Sequence, residues 1–289
     1  MPDLWTHIIG GDMVLNELDD RGLSSVILEY RNHYNLGTQG PDFFFYNNFW
    51  PWTKEKRGPS IGALIHTKRQ TEFVLEVFEI LREKEGSVQY PKALSYFIGF
   101  ITHLILDKKI HEIIDEKTNN NKEHKRFEIE LDCILVDNYY NEKCYKLKPD
   151  SYLKIGNELD ELIKDIYYLN ITKLYEEKIN FEVINNSYQD MLRAQNILYS
   201  PFKIKAYILS FLNNFLSIDL NQYLYAKVNS YYLITQKDLD RIEKLLPEFV
   251  SISKDLIGVL SLYLKGKNER KDVKKRLEDH FGEGFFEGG

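Results

Sequence analysis

Residues 91–128 read PKALSYFIGFITHLILDKKIHEIIDEKTNNNKEHKRFE, and this stretch decides the fold. Pro91 suits a first helical turn, where an N–H would have no partner. A long apolar helix follows to about Glu116. The Lys/Asn-rich run Lys117 to Lys122 interrupts it, and a second helix continues to about Tyr140 through Phe127, Ile129, Leu131, Ile134 and Leu135. Upstream, Leu64 to Arg82 places Val74, Val77, Phe78 and Leu81 at three- and four-residue steps, the period of an amphipathic helix. Downstream, the same period predicts helices over 156–176, 184–198, 202–217, 236–265 and 269–280. Alternating strand patterns are weak, Gly-Asn hairpin signals are absent and no repeat is visible. The expected class is all-α: one multi-helix domain over 1–289, with additional helices over 150–281 and a loose Gly-rich tail at Gly282 to Gly289.

Composition agrees with a folded chain. Of 289 residues, 43% are hydrophobic, enough to bury a sizeable core. The net charge of -6, with both signs well mixed, gives no general attraction for nucleic acid or an anionic lipid surface. The two cysteines, Cys133 and Cys144, have no CxxC spacing, so a thiolate zinc site is set aside. The longest apolar run, Ala93 to Leu106, is too short for a transmembrane span and contains His103. The opening Met-Pro-Asp-Leu-Trp does not read as a secretory signal, and the expected location is cytoplasmic.

The chemistry is written in the same stretch. There are seven histidines in all, and the pattern His103-x3-Asp107-x3-His111 takes two of them. Residues four apart share a helix face one turn apart, so His103 and Asp107 can hold a single ion and His111 lies a further turn along. His124-x3-Glu128 repeats the step on the next helix. A short connection makes those helices neighbours, so their His and acid faces can meet. Imidazole and carboxylate are the ligands of an open zinc site, although other divalent ions accept them too. Asp107 ends an apolar run, where an uncompensated carboxylate is costly.

Blander readings exist for each residue. Any one of these side chains alone reads as a surface charge or a satisfied core histidine; two His-x3-acid pairs on successive helices do not. Asp42, in Gly40-Pro-Asp-Phe-Phe-Phe-Tyr46, reads alone as a helix N-cap. His66 reads alone as a core histidine on an apolar helix face, and His7 is uninformative by itself. His33 and His280 lie in polar surroundings and are expected to face solvent.

Taken together, these residues resemble the zinc-dependent phospholipase C family of bacteria, which is similar in fold to the fungal single-strand-specific zinc nucleases. The resemblance covers roughly residues 1–132, and the metal-binding part is placed within 1–135. Trp5 and His7 resemble the family's early Trp and His. Asp42 resembles its acid before the aromatics, and His66 the histidine that follows. His103, Asp107, His111, His124 and Glu128 resemble its central and closing motifs. The resemblance implies a helical fold with two or three clustered zinc ions. Asp42, His66, His103 and Asp107 would surround one, His111, His124 and Glu128 a second, and His7 with a bridging Asp107 a third. In the secreted enzymes a free N-terminal Trp amine binds the third ion. Trp5 is internal here, so its carbonyl, Asp3 or the amine of Pro2 would substitute, or that site would be weak or empty. The step from Asp107 to His111 is also shorter than in those enzymes.

The implied activity is hydrolysis of a phosphate ester, with a small ester or a phospholipid head group as partner. Clustered metals polarise the phosphoryl oxygen and lower the pKa of water, and Asp42 is a candidate catalytic residue that orients or deprotonates it. The block from Phe43 to Trp52 reads for the most part as core, with Phe44, Phe45 and Tyr46 the best candidates for a substrate-binding wall over a choline group or a base. The alternatives are a single-strand nuclease, disfavoured by the acidic balance, and a non-catalytic helical binding protein stabilised by metal.

Overall fold

The computed structural model describes residues 4–50, 52–212, 223–225 and 233–282. The expected tail from 283 onward, the end of the 202–217 helix, Pro51, and the proposed stand-ins Pro2 and Asp3 lie outside the described residues.

The architecture is all-α, with no strand among the described residues. The chain runs through α1 (Leu4–Glu17), α2 (Arg21–Glu29), α3 (Arg31–Gly37), a 3-10 segment (Gly40–Tyr46), α4 (Arg57–Thr67) and α5 (Gln70–Glu83). It continues through α6 (Tyr90–Lys117), α7 (Asn121–Tyr140), α8 (Asp150–Leu153), α9 (Glu161–Leu174), α10 (Phe181–Leu198), α11 (Ile204–Leu212), α12 (Gln236–Leu264) and α13 (Arg270–Phe281). α6 is the axis. It contacts α1, α3, α7, α9, α12 and the 3-10 segment, and its residues from Ala93 to Leu106 are buried without a break. One contiguous hydrophobic cluster reaches from Leu4 to Phe281.

The break between α6 and α7 is tighter than the Lys117 to Lys122 expectation. Asn120 caps α7, its side chain accepting from the N–H groups of Lys122 and Glu123. The helix expected over Leu64 to Arg82 is in fact two. Lys68 is extended and Arg69 left-handed at φ 54°, and the turn is held by Arg69 Nη1 donating to the Leu174 carbonyl and Tyr175 Oη donating to the Lys68 carbonyl. The break leaves His66 at the end of α4 rather than inside a continuous helix. α9 starts later than the expected 156, at Glu161, and the side chain of the preceding Asp160 pairs with His33 and Lys92 rather than capping the helix.

Gly40 sets the approach of the 3-10 segment to α6. Its φ is +51°, and a Cβ there would stand 2.0 Å from Cδ2 of His103. Only a residue without a side chain lets the Asp42 turn sit against that imidazole. No helix among the described residues is long and apolar enough to cross a membrane.

Candidate metal centre

His103 sits at the middle of α6, wholly buried. Its Nδ1 donates to the Thr38 carbonyl at 3.2 Å. His66 Nδ1 donates to the carbonyl of Gly62, one turn back on α4, at 2.8 Å. Both rings are thereby fixed with Nε2 turned inward, and the two Nε2 atoms stand 3.2 Å apart. Asp42 Oδ1 completes the group, 2.8 Å from His66 Nε2 and 3.7 Å from His103 Nε2. Two imidazole lone pairs this close repel unless a proton or a cation lies between them. Asp42 is therefore no N-cap: it is buried in the 3-10 turn, facing imidazoles. His66 likewise turns its Nε2 toward Asp42 and His103.

Two further residues close on this group. His7, on α1, is buried with its ring 4.4 Å from that of His103, and neither of its nitrogens finds a hydrogen-bond partner among the described residues. Buried polar atoms are normally paired, so an imidazole orphaned at both nitrogens signals a ligand. Donor atoms of His7, Asp42 and His103 lie within 4.8 Å of one another, as do those of His66, His103 and Asp107.

A second group lies a turn further along α6. Asp107 Oδ1 is 3.2 Å from His111 Nε2, and across on α7 His124 Nε2 is 3.0 Å from Glu128 Oε1. The rings of His111 and His124 are 4.9 Å apart. Asp115, one turn beyond His111, joins these two histidines in a third set of convergent donors. The sequence reading missed Asp115, although His111-x3-Asp115 is the same four-residue step as the two motifs it used.

The electrostatics follow from burial and charge. Burial raises the Asp42 carboxyl, against the His66 hydrogen bond. Burial opposes a charge on His66, but the Asp42 hydrogen bond and charge outweigh it and lift the imidazole to about 9. Both shifts have one meaning: near neutral pH the metal-free pair holds a proton. Burial drops His7 to about 4 and, with the neighbouring His7, takes His103 well below its usual value. Glu128 is pushed down to about 2, where Lys125 and His124 overcome its burial.

Other expectations fare unevenly. Phe44 does not line a pocket: it is fully buried, stacked on Phe43 and edge-on to Tyr167. Its neighbour Phe45 is half-buried with its ring 5.6 Å from His66. Half-buried Tyr46 accepts a hydrogen bond from Gln195 Nε2. His33 is not solvent-facing; it is buried with Nε2 2.8 Å from Asp160. His280 is half-buried, its carbonyl accepting from Lys108. Trp5 is wholly buried, and its backbone N–H is donated to Asp132 Oδ2 at 3.0 Å.

The donors are nitrogen and carboxylate oxygen throughout, their spacings suit a shared ion, and the His7 imidazole is otherwise orphaned. Zinc fits this set. The zinc dependent phospholipase C family matches residues 6–215, most of the chain. No curated protein and no solved structure matches it. The match takes in every residue of the clustered His and acid groups, and the chain belongs to the zinc dependent phospholipase C family, a family of zinc-dependent hydrolases.

Proposed function

We propose that this chain hydrolyses a phosphodiester, with a phospholipid head group or a similar small ester as substrate, over a cluster of two or three zinc ions. The observation that carries the reading is the inward convergence of His66 Nε2, His103 Nε2 and Asp42 Oδ1, all within 3.7 Å. In this reading Asp42, His66, His103 and Asp107 hold the first ion, His111, His124 and Glu128 the second, and His7 with Asp107 a third. Bound there, zinc supplies Lewis-acid polarisation of the phosphoryl oxygen and a water acidic enough to ionise near neutral pH.

The chain's own groups do the rest. Asp42, close to both imidazoles, is also placed to orient water and take its proton at a carboxylate oxygen. The Thr38 and Gly62 carbonyls fix the tautomers of His103 and His66, so that each presents a lone pair rather than a proton. Phe45, beside His66, offers an aromatic face to a quaternary ammonium head group.

Turnover of a chromogenic phosphocholine ester, measured beside cleavage of a single-stranded oligonucleotide, tests this. Zinc-dependent turnover of the ester supports the reading. Cleavage of the oligonucleotide alone would make the chain a nuclease, and inactivity on both with zinc fully bound would make it a metal-stabilised binding protein.

A further inference from the structure

Large apolar side chains scattered singly over a surface are ordinary. In this chain a group of them is gathered at and just before α11. Phe202, Ile204, Tyr207, Ile208 and Phe211 are 83, 64, 63, 54 and 64% exposed. The last four stand at i, i+3, i+4 and i+7, the stripe that a surface helix normally turns to its core. Here that stripe faces outward. The inner face is used as well: Ala206 is buried with Leu224, and Leu198 and Leu209 pack against them. α11 is therefore apolar on both sides. At 9 residues it is too short to cross a bilayer, but a helix of this kind can lie in the plane of one.

Charge favours a lipid surface as the cover. Residues 191–218 contain no Asp or Glu, in a chain with 44 of them. Lys203 and Lys205 flank the start of the exposed stripe. Lys205 is exposed and donates to the Asn196 carbonyl, and the Lys203 ammonium lies over the Tyr145 ring at 4.7 Å. A carbonyl and a ring leave both positive charges uncompensated. Exposed apolar side chains beside such cations match an anionic bilayer, whose head groups take the lysines while the acyl boundary takes the rings and branched chains. A second copy of this chain would instead bring its own lysines to the same face, and like charges oppose that contact.

The patch is also tied to the candidate site. Asn196, which Lys205 holds, follows Gln195, whose Nε2 donates to Tyr46 Oη at 3.0 Å. Tyr46 ends the 3-10 segment that carries Asp42. Asn196 and Ile197 share a groove with Trp50, and Trp50 stacks at 4.9 Å on Trp52, which is 72% exposed. Indole is a favoured group at the boundary between water and lipid.

We infer that α11, with Phe202 and Trp52, docks this protein on an anionic phospholipid surface and brings bilayer-borne substrate to the metal centre. The inference rests on the phosphodiester reading for its substrate, while docking itself needs no turnover.

Co-sedimentation of the full-length protein with vesicles of phosphatidylcholine and phosphatidylglycerol tests it. The wild type is compared with Phe202→Ser/Ile208→Ser and with Lys203→Gln/Lys205→Gln, and far-ultraviolet circular dichroism checks that both variants keep the fold. The wild type is expected to bind, and to bind vesicles of phosphatidylcholine alone more weakly. Each double variant is expected to lose at least about tenfold in vesicle affinity and to turn over a dissolved phosphocholine ester as the wild type does. Absence of wild-type binding, or equal binding by the wild type and both variants, would overturn the inference. So would wild-type self-association in place of vesicle binding, read by analytical ultracentrifugation and abolished in Phe202→Ser/Ile208→Ser, which would give the face to a second copy. Vesicle binding by a wild type that turns over neither the dissolved ester nor the vesicle lipid would leave the docking surface standing and overturn the phosphodiester reading instead.

Discussion

The carboxylate of Asp132, on α7, accepts the backbone N–H of Thr6, at the start of α1, across 126 residues of chain at 2.7 Å. The same carboxylate accepts from the Trp5 N–H at 3.0 Å, the Thr6 hydroxyl at 2.6 Å and the Tyr225 hydroxyl at 2.7 Å. The first turn of a helix has N–H groups with no partner of their own, and here a buried acid from another helix supplies the cap. The next residue is His7. The same acid thus ties Trp5, two residues before His7, to α7.

Asp132→Asn is accordingly expected to destabilise the protein by about 3 kcal/mol, the scale of a lost set of buried hydrogen bonds to a charged acceptor. Urea unfolding measures it. A variant within about 0.5 kcal/mol of the wild type, the range typical of neutral surface changes, would show that the cap does not hold α1.

Neighbouring phenylalanines separate core from site. Phe44→Ala opens a cavity between Phe43 and Tyr167 and is expected to cost about 3–5 kcal/mol. Phe45→Ala, at a half-buried ring beside His66, is expected to cost much less stability and to raise KM for a phosphocholine ester. Equal stability losses with unchanged KM would remove Phe45 from the substrate wall.

Gly40→Ala tests the approach of the Asp42 turn to α6. The added methyl meets His103 at 2.0 Å and the backbone stays left-handed. Together these cost about 3 kcal/mol, and the displaced turn carries Asp42 away from His66 and His103. Unfolding and zinc retention should fall together; a variant that keeps both would show the turn has room to move.

Asp160 contributes to the pH dependence of stability away from the metal centre. Burial alone would raise the Asp160 carboxyl, but hydrogen bonds from His33 and Lys92 outweigh it and hold the group below its usual value. A carboxylate lowered on folding adds stability above its unfolded value of about 3.9 and loses it as pH falls through the folded value. Asp160→Asn should therefore lower stability at neutral pH and flatten the decline below about pH 4. Parallel acid limbs for the two proteins would contradict this.

The helices of the centre could be read from sequence because their apolar steps are long and regular, and His103, Asp107, His111, His124 and Glu128 came with them, since four-residue spacing is local geometry. α1 was not read as a helix. It contains Gly10-Gly11, poor helix formers, and it is buried on most of its circumference, so it shows no polar stripe. Packing explains the glycines: a Cβ on Gly10 would stand 2.5 Å from Leu106, and one on Gly11 2.7 Å from Thr38. The same absence of local signal hid the role of Asp132, whose partners are far off in the chain. Phe44 and Phe45 were indistinguishable in sequence because adjacent residues of one type face opposite ways only once the turn is built. Asp115 is legible on the same ground, four residues after His111.

The central claim is that His7, Asp42, His66, His103, Asp107, His111, His124 and Glu128 converge on shared cations, and Asp107, placed between the two groups, tests it best. Elemental analysis of purified wild-type protein and Asp107→Asn, at equal protein concentration, is the direct measurement. The account predicts at least two zinc ions per wild-type chain and fewer in the variant. A wild type without zinc, or an Asp107→Asn protein with its zinc content unchanged, would contradict it.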